Sequence, residues 1–136
     1  MDKKDLFKLA IKAMKNSYAP YSEYNVGAAL LCKNGNIFKG CNIENASYSV
    51  TNCAERTALF SAIANGEREF SAICVVGGKN GEITDYAFPC GVCRQALSEF
   101  CDSDFKIFVG KNEDDIKEFT LENLLPCSFD KSKLGE

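Results

Sequence analysis

Two separate stretches of this chain carry cysteines that suit a single purpose. Cys53 stands in Cys53-Ala54-Glu55-Arg56, and Cys90 and Cys93 stand in Pro89-Cys90-Gly91-Val92-Cys93-Arg94-Gln95. Cys-x-x-Cys has the spacing of a metal chelate. Cys53 comes with a carboxylate two residues on, placed to move protons beside a metal. Three thiolates suit Zn²⁺ and leave its fourth position for water, the arrangement of catalytic rather than closed structural sites. A fold that honours this pattern brings two distant segments to one point.

The surrounding pattern says what those segments are. Thr51 or Asn52 can cap a helix from about Cys53 to Asn65, with Gly66 as its stop. Pro89 precedes a second helix, about Cys90 to Cys101, with Leu97 and Phe100 facing inward. Both cysteine groups therefore fall at helix N-termini, where about half a unit of positive charge and free amides favour the thiolate. Leu6, Leu9, Ala10, Ala13 and Met14 recur at helical spacing and predict an opening helix that ends near Asn16. Val26 to Cys32 and Ile37 to Cys41 read as a hairpin around Lys33-Asn34-Gly35-Asn36. Phe70 to Val76 reads as a buried strand ended by Gly77-Gly78, with a loop from Lys79 to Phe88. Phe105 to Val109 and Ile116 to Phe119 read as two more strands, and Thr120 caps a short helix, Leu121 to Leu125. Helices interleaved with the third and fourth strands imply a crossover and some parallel pairing. The expected fold is α/β: a three-layer α/β/α sandwich with a five-stranded mixed sheet, one domain over residues 1–136.

Composition narrows the chemistry. The chain has no histidine, which removes Ser-His-Asp and Cys-His catalysis and leaves sulfur or carboxylate to bind zinc. Net charge is −3 with no basic stripe, so no nucleic-acid partner is expected. Lys8, Lys12 and Lys15 interrupt the first helical pattern, and no apolar run reaches the ~18 residues of a membrane span. A cytoplasmic protein with no membrane partner is expected. Hydrophobic residues make up 46% of the chain, enough for a core without disulfide staples. Cys32, Cys41, Cys74, Cys101 and Cys127 are accordingly read as small core hydrophobes.

Three thiolates around Zn²⁺ carry a net −1 charge, which weakens the ion as a Lewis acid. Arg56, and more weakly Gln95, are the expected donors to the sulfurs. On spacing alone, a structural zinc corner or a redox pair stays open beside the catalytic reading.

Cys53-Ala-Glu-Arg-Thr-Ala followed by Pro89-Cys-Gly-x-Cys-Arg-Gln resembles the zinc-dependent cytidine deaminases, in the small homotetrameric branch with three cysteine ligands. Tyr18-Ala-Pro-Tyr-Ser, Val26-Gly-Ala-Ala-Leu, Gly40-Cys-Asn-Ile-Glu-Asn-Ala-Ser-Tyr48 and Leu124-Leu-Pro-x-x-Phe129 extend the match over nearly the whole chain. The resemblance implies zinc on Cys53, Cys90 and Cys93, and hydrolysis of cytidine and 2′-deoxycytidine to uridine and 2′-deoxyuridine in pyrimidine salvage. It implies Glu55 as the catalytic proton carrier, and Asn42 and Glu44 as partners of the ribose hydroxyls. It places Tyr24 near the base and the Ala54 amide on the pyrimidine 2-carbonyl. Phe129, Ala46 and Tyr48 would reach the nucleoside across subunit interfaces. A rival deaminase acting on another amino-heterocycle fits less well, because Glu44 would repel a nearby phosphate and pairs with Asn42 for a free ribose. A zinc-stabilised binding module without turnover is the reading from another class. Two positions depart from the family's pattern. Phe88 stands where a small residue is usual, and Cys127 where glycine is common.

Overall fold

A computed structural model describes residues 1–135. Five strands form one sheet: β1 (Tyr24–Cys32), β2 (Ile37–Cys41), β3 (Phe70–Lys79), β4 (Lys106–Asn112) and β5 (Asp115–Thr120), in the order β2-β1-β3-β4-β5. The helices are α1 (Lys3–Met14), α2 (Ala54–Ala64), α3 (Gly91–Phe100) and the single turn α4 (Leu121–Leu124). β3 and β4 run parallel, joined through α3, and every other pairing is antiparallel. The expected mixed five-stranded sheet is present.

Side-chain alternation on the central strands divides the core into two layers. Ala28, Leu30, Ile73, Val75, Ile107 and Val109 point to one face, where Ala58, Leu59 and Ala62 of α2 and Leu97 of α3 cover them. Ala29, Ala72, Cys74, Val76 and Phe108 point to the other, under Leu6, Phe7, Ala10 and Met14 of α1. Successive residues of a strand face opposite ways, so β1, β3 and β4 carry apolar side chains at nearly every position. Two glycines set how closely the helices approach. A Cβ on Gly27 would lie 2.1 Å from the Ala10 carbonyl oxygen of α1. One on Gly40 would lie 2.4 Å from both the Ala54 oxygen and the Ala58 nitrogen of α2.

Three local expectations change. Gly77 and Gly78 do not end β3, which pairs on to Lys79 against a β1 that starts early, at Tyr24. Their role is close approach: a Cβ on Gly78 would meet the returning turn, 1.9 Å from the Glu82 oxygen. The cap of α2 is Cys53 itself, in extended conformation, rather than Thr51 or Asn52. Cys127 is exposed, not a core residue. It takes φ +53°, the left-handed region in which glycine is comfortable and a side chain is strained. Cys32 and Cys74 are buried, and Cys41 and Cys101 half-buried. No helix among the described residues is long and apolar enough to cross a membrane.

Candidate active site

The two layers leave α2 and α3 starting side by side. Cys53 is the cap residue of α2 and Cys90 the cap residue of α3, and neither side chain makes a capping hydrogen bond. Both sulfurs are therefore free to turn toward each other, and Cys93 joins them from the first turn of α3. Cys53 Sγ and Cys90 Sγ are 3.7 Å apart, and all three Sγ atoms lie within 4.8 Å of one another. Tetrahedral zinc with Zn–S of about 2.3 Å separates its sulfurs by about 3.8 Å, so the cluster matches the ion closely. Cys93 is buried, Cys53 half-buried and Cys90 exposed, which opens the cluster on one side.

Arg56, one turn into α2, spans two of the sulfurs. Its Nε donates to Cys93 Sγ and its Nη2 to Cys53 Sγ, both at 3.4 Å. The guanidinium thus offsets part of the charge that three thiolates would carry. The Cys53 thiol is lowered to about 5, by a hydrogen bond from the Cys93 thiol first and by Arg56 after it. Cys93 is pushed up, because it is the donor to that thiolate and lies buried. Without metal, Cys53 is thus the sulfur held in the ionised form that binds zinc, while the Cys93 thiol keeps its proton. Gln95 stands elsewhere than the sequence suggested. Its Nε2 donates to the Phe129 carbonyl at 2.8 Å and so holds the C-terminal segment rather than a sulfur.

Glu55 is 4% exposed and follows Cys53 by two residues, at the start of α2. Burial raises its carboxyl to about 7, and the neighbouring Cys53 charge adds to the rise. It lines a pocket of about 370 Å³ together with Cys53, Cys90, Tyr24, Asn42 and Glu44. Ala54, the first residue of α2, lines the same pocket, and the first amides of a helix have no intrahelical acceptor.

The segment after β2 lines the same pocket through Asn42 and Glu44. Ile43 bridges to Asn52, with hydrogen bonds of 2.9 and 3.0 Å, while the Glu44 amide donates to the Tyr18 carbonyl at 2.8 Å. Asn42 is buried and clamps the start of β1: its Oδ1 accepts from the Val26 amide at 2.9 Å and its Nδ2 donates to the Tyr24 carbonyl at 2.7 Å. Each end of that amide keeps one further bond to offer. Glu44 Oε1 accepts from the Tyr21 and Ser22 amides at 3.0 Å, and its Oε2 accepts from the Ser22 hydroxyl. Slight burial works to raise this carboxyl, but the bonds from Ser22 and Tyr21 outweigh it and hold it below its usual value. Ser22 is a site residue that pattern reading did not single out, although it closes the quoted Tyr18-Ala-Pro-Tyr-Ser run. Arg94 is another. Its Nε donates to the Pro89 carbonyl and its Nη1 to the Leu124 carbonyl, both at 2.7 Å, which ties the turn before Cys90 to α4.

The three residues expected to act across subunit interfaces lie outside this pocket, on the surface of the single chain. Tyr48 is 73% and Phe129 63% exposed, and Ala46 is exposed too. Tyr48 packs against Tyr21, ring centroids 5.8 Å apart, beside a second hollow that shares Glu44. Phe88 lines the pocket beside Cys90.

Residues 1–109 match the family model for the cytidine and deoxycytidylate deaminase zinc-binding region. Cytidine deaminase of Halalkalibacterium halodurans is 46% identical over 136 residues, covering all of both chains. The chain belongs to the cytidine deaminase family. A second member, from Sporosarcina psychrophila, is 46% identical over 135 residues, with 99% of this chain and 96% of the relative covered. The crystal structure of cytidine deaminase from Burkholderia pseudomallei superposes with a TM-score of 0.86 at 45% identity, over 95% of this chain and all of that one. The family's cofactor is Zn²⁺, and the sulfur cluster here fits that ion in donor type, spacing and charge offset.

Proposed function

We propose that this protein hydrolyses cytidine and 2′-deoxycytidine to uridine and 2′-deoxyuridine, releasing ammonia. It does so as a single deaminase domain within a cytoplasmic homotetramer that serves pyrimidine salvage. The observation that carries the reading is one pocket lined by two sulfurs of the three-cysteine cluster, the buried Glu55 carboxylate, and Asn42 and Glu44, each already held by hydrogen bonds.

Cys53, Cys90 and Cys93 would hold the metal, which when bound would supply an activated water. Arg56 tempers the thiolate charge. Glu44, kept ionised by Ser22 and the Tyr21 amide, accepts from a ribose hydroxyl, and the spare bond of Asn42 completes that grip. The Ala54 amide holds the pyrimidine 2-carbonyl and Tyr24 flanks the base, so that C4 faces the sulfur cluster and N3 faces Glu55. Glu55, with a carboxyl near neutrality, takes one proton from the water and delivers it to N3. Water oxygen bonds to C4, the Glu55 carboxylate carries a further proton to the amino nitrogen, and the C4–N bond breaks to release ammonia. Phe129, Ala46 and Tyr48 complete the site of a neighbouring subunit, in keeping with their exposure here.

Incubating the zinc-loaded protein with cytidine and following ultraviolet absorbance tests the activity directly. Glu55→Ala should retain zinc by metal assay and lose ~10²-fold or more in kcat. Near-normal turnover by that variant overturns the role of Glu55, and a wild type that binds nucleoside without turnover overturns the enzyme.

A further inference from the structure

The pocket is also lined by aromatic side chains that belong neither to the ribose grip nor to the proton carrier. Tyr86, Ala87 and Phe88 run along it and lead directly into Pro89 and Cys90. This wall is fastened from behind to the edge strand β5. The Tyr86 hydroxyl donates to the Asp115 carboxylate at 2.6 Å, and Lys117 Nζ sits 4.5 Å from the Tyr86 ring centroid. Phe88 packs edge-on against Phe119, centroids 5.5 Å apart, and lies 6.4 Å from Tyr86. Phe88 is 46% exposed, so what holds its ring is the edge contact with Phe119 and the tethering of neighbouring Tyr86 to Asp115.

Given the orientation under the proposed function, on which this inference rests, the ring's edges are spoken for in turn. The glycosidic end lies toward Glu44, C4 toward the cysteines and N3 toward Glu55. The C5 edge, next to the amino group, is left to face Tyr86, Ala87 and Phe88. We infer that Phe88 is a specificity-determining residue, which limits substrates to pyrimidine nucleosides without a substituent on the C5 edge. Phe88 bears no charge and offers no hydrogen bond, so its contribution is steric exclusion alone. A single methyl at C5 is enough to meet it, and one methylene in a shaped pocket changes kcat/KM by about 10- to 200-fold.

The test compares cytidine with 5-methylcytidine. Wild type should favour cytidine in kcat/KM by about 10-fold or more, Phe88→Ala should narrow that ratio by about 10-fold, and Phe88→Leu should fall between. Phe119→Ala, which removes the ring behind Phe88 and leaves the pocket side chains in place, should narrow the ratio in the same direction. If Phe88→Ala fails to fold, the Leu and Phe119 variants still decide the matter. Dissociation constants for the products, uridine against 5-methyluridine, read the same wall without turnover and should converge in the variants. A ratio that stays level across all three variants, in proteins that deaminate cytidine, overturns the inference. Absence of cytidine turnover in wild type instead overturns the proposed reaction, and the product-affinity ratio then still judges Phe88.

Discussion

Glu55 shows how burial, with a neighbouring charge adding to it, prepares a group for proton transfer. Its carboxyl ordinarily titrates near 4.5, and enclosure lifts it to about 7. Folding therefore favours the protonated form. That contribution is complete below about pH 4.5 and is lost as pH rises through about 7. In zinc-stripped protein, Glu55→Gln should gain on wild type between about pH 4 and pH 8, by about 3 kcal/mol at most. Urea denaturation at both pH values measures it, and an unchanged gap removes the pKa argument. Arg56 makes a separate demand. With two of three sulfurs in its reach, Arg56→Ala should weaken zinc affinity or turnover by about 10- to 100-fold. Chelator competition and initial rates read the two effects, and wild-type values in both would deny it any part in tuning the metal.

Among the elements, α2 is the one whose placement matters most, because it carries Cys53, Ala54, Glu55 and Arg56 together. Its seat on β2 depends on Gly40, where an added Cβ would strike two backbone atoms of α2 at 2.4 Å. Neither atom belongs to a flexible side chain, so the helix itself has to shift. Gly40→Ala should cost about 1–3 kcal/mol in urea melts and lower activity by more than that loss of folded protein explains. A variant with normal stability and rate would show that α2 has slack there. Sequence patterns located this helix well but misplaced its cap. Thr51 and Asn52 are good capping types, yet their backbone is engaged in bridging Tyr48 and Ile43. Cys53 takes the cap geometry without the cap bond, which leaves its sulfur for other use. The same limit applied to Gly77 and Gly78: a glycine pair suggests a strand end, and only the returning 79–83 turn reveals that it serves close approach.

At the scale of the molecule, Phe129, Tyr48, Tyr21, Val50 and Phe60 are large apolar side chains left in the open. The proposed tetramer covers such surface and places Phe129 against a neighbour's nucleoside. Solution mass should correspond to four chains, and Phe129→Ala should raise KM for cytidine by about 10-fold or more while the assembly persists, as expected for loss of an aromatic stacking contact. A fully active monomer would remove Phe129 from the site.

The sheet, its two apolar faces, the helix positions and the grouping of Cys53, Glu55, Cys90 and Cys93 were legible in the chain. Short apolar runs, helical spacing, chelate spacing and the missing histidines can all be read from the chain itself. The choice of Arg56 rested on charge balance, which composition also reveals. What tertiary structure decided is which distant groups meet. It turned Gln95 toward Phe129, made Ser22 the partner of Glu44, exposed Cys127 in a left-handed turn and braced Phe88 against β5. These outcomes depend on the mutual packing of segments far apart in the chain, and hydrogen bonds a few ångströms long are settled only when that packing is complete.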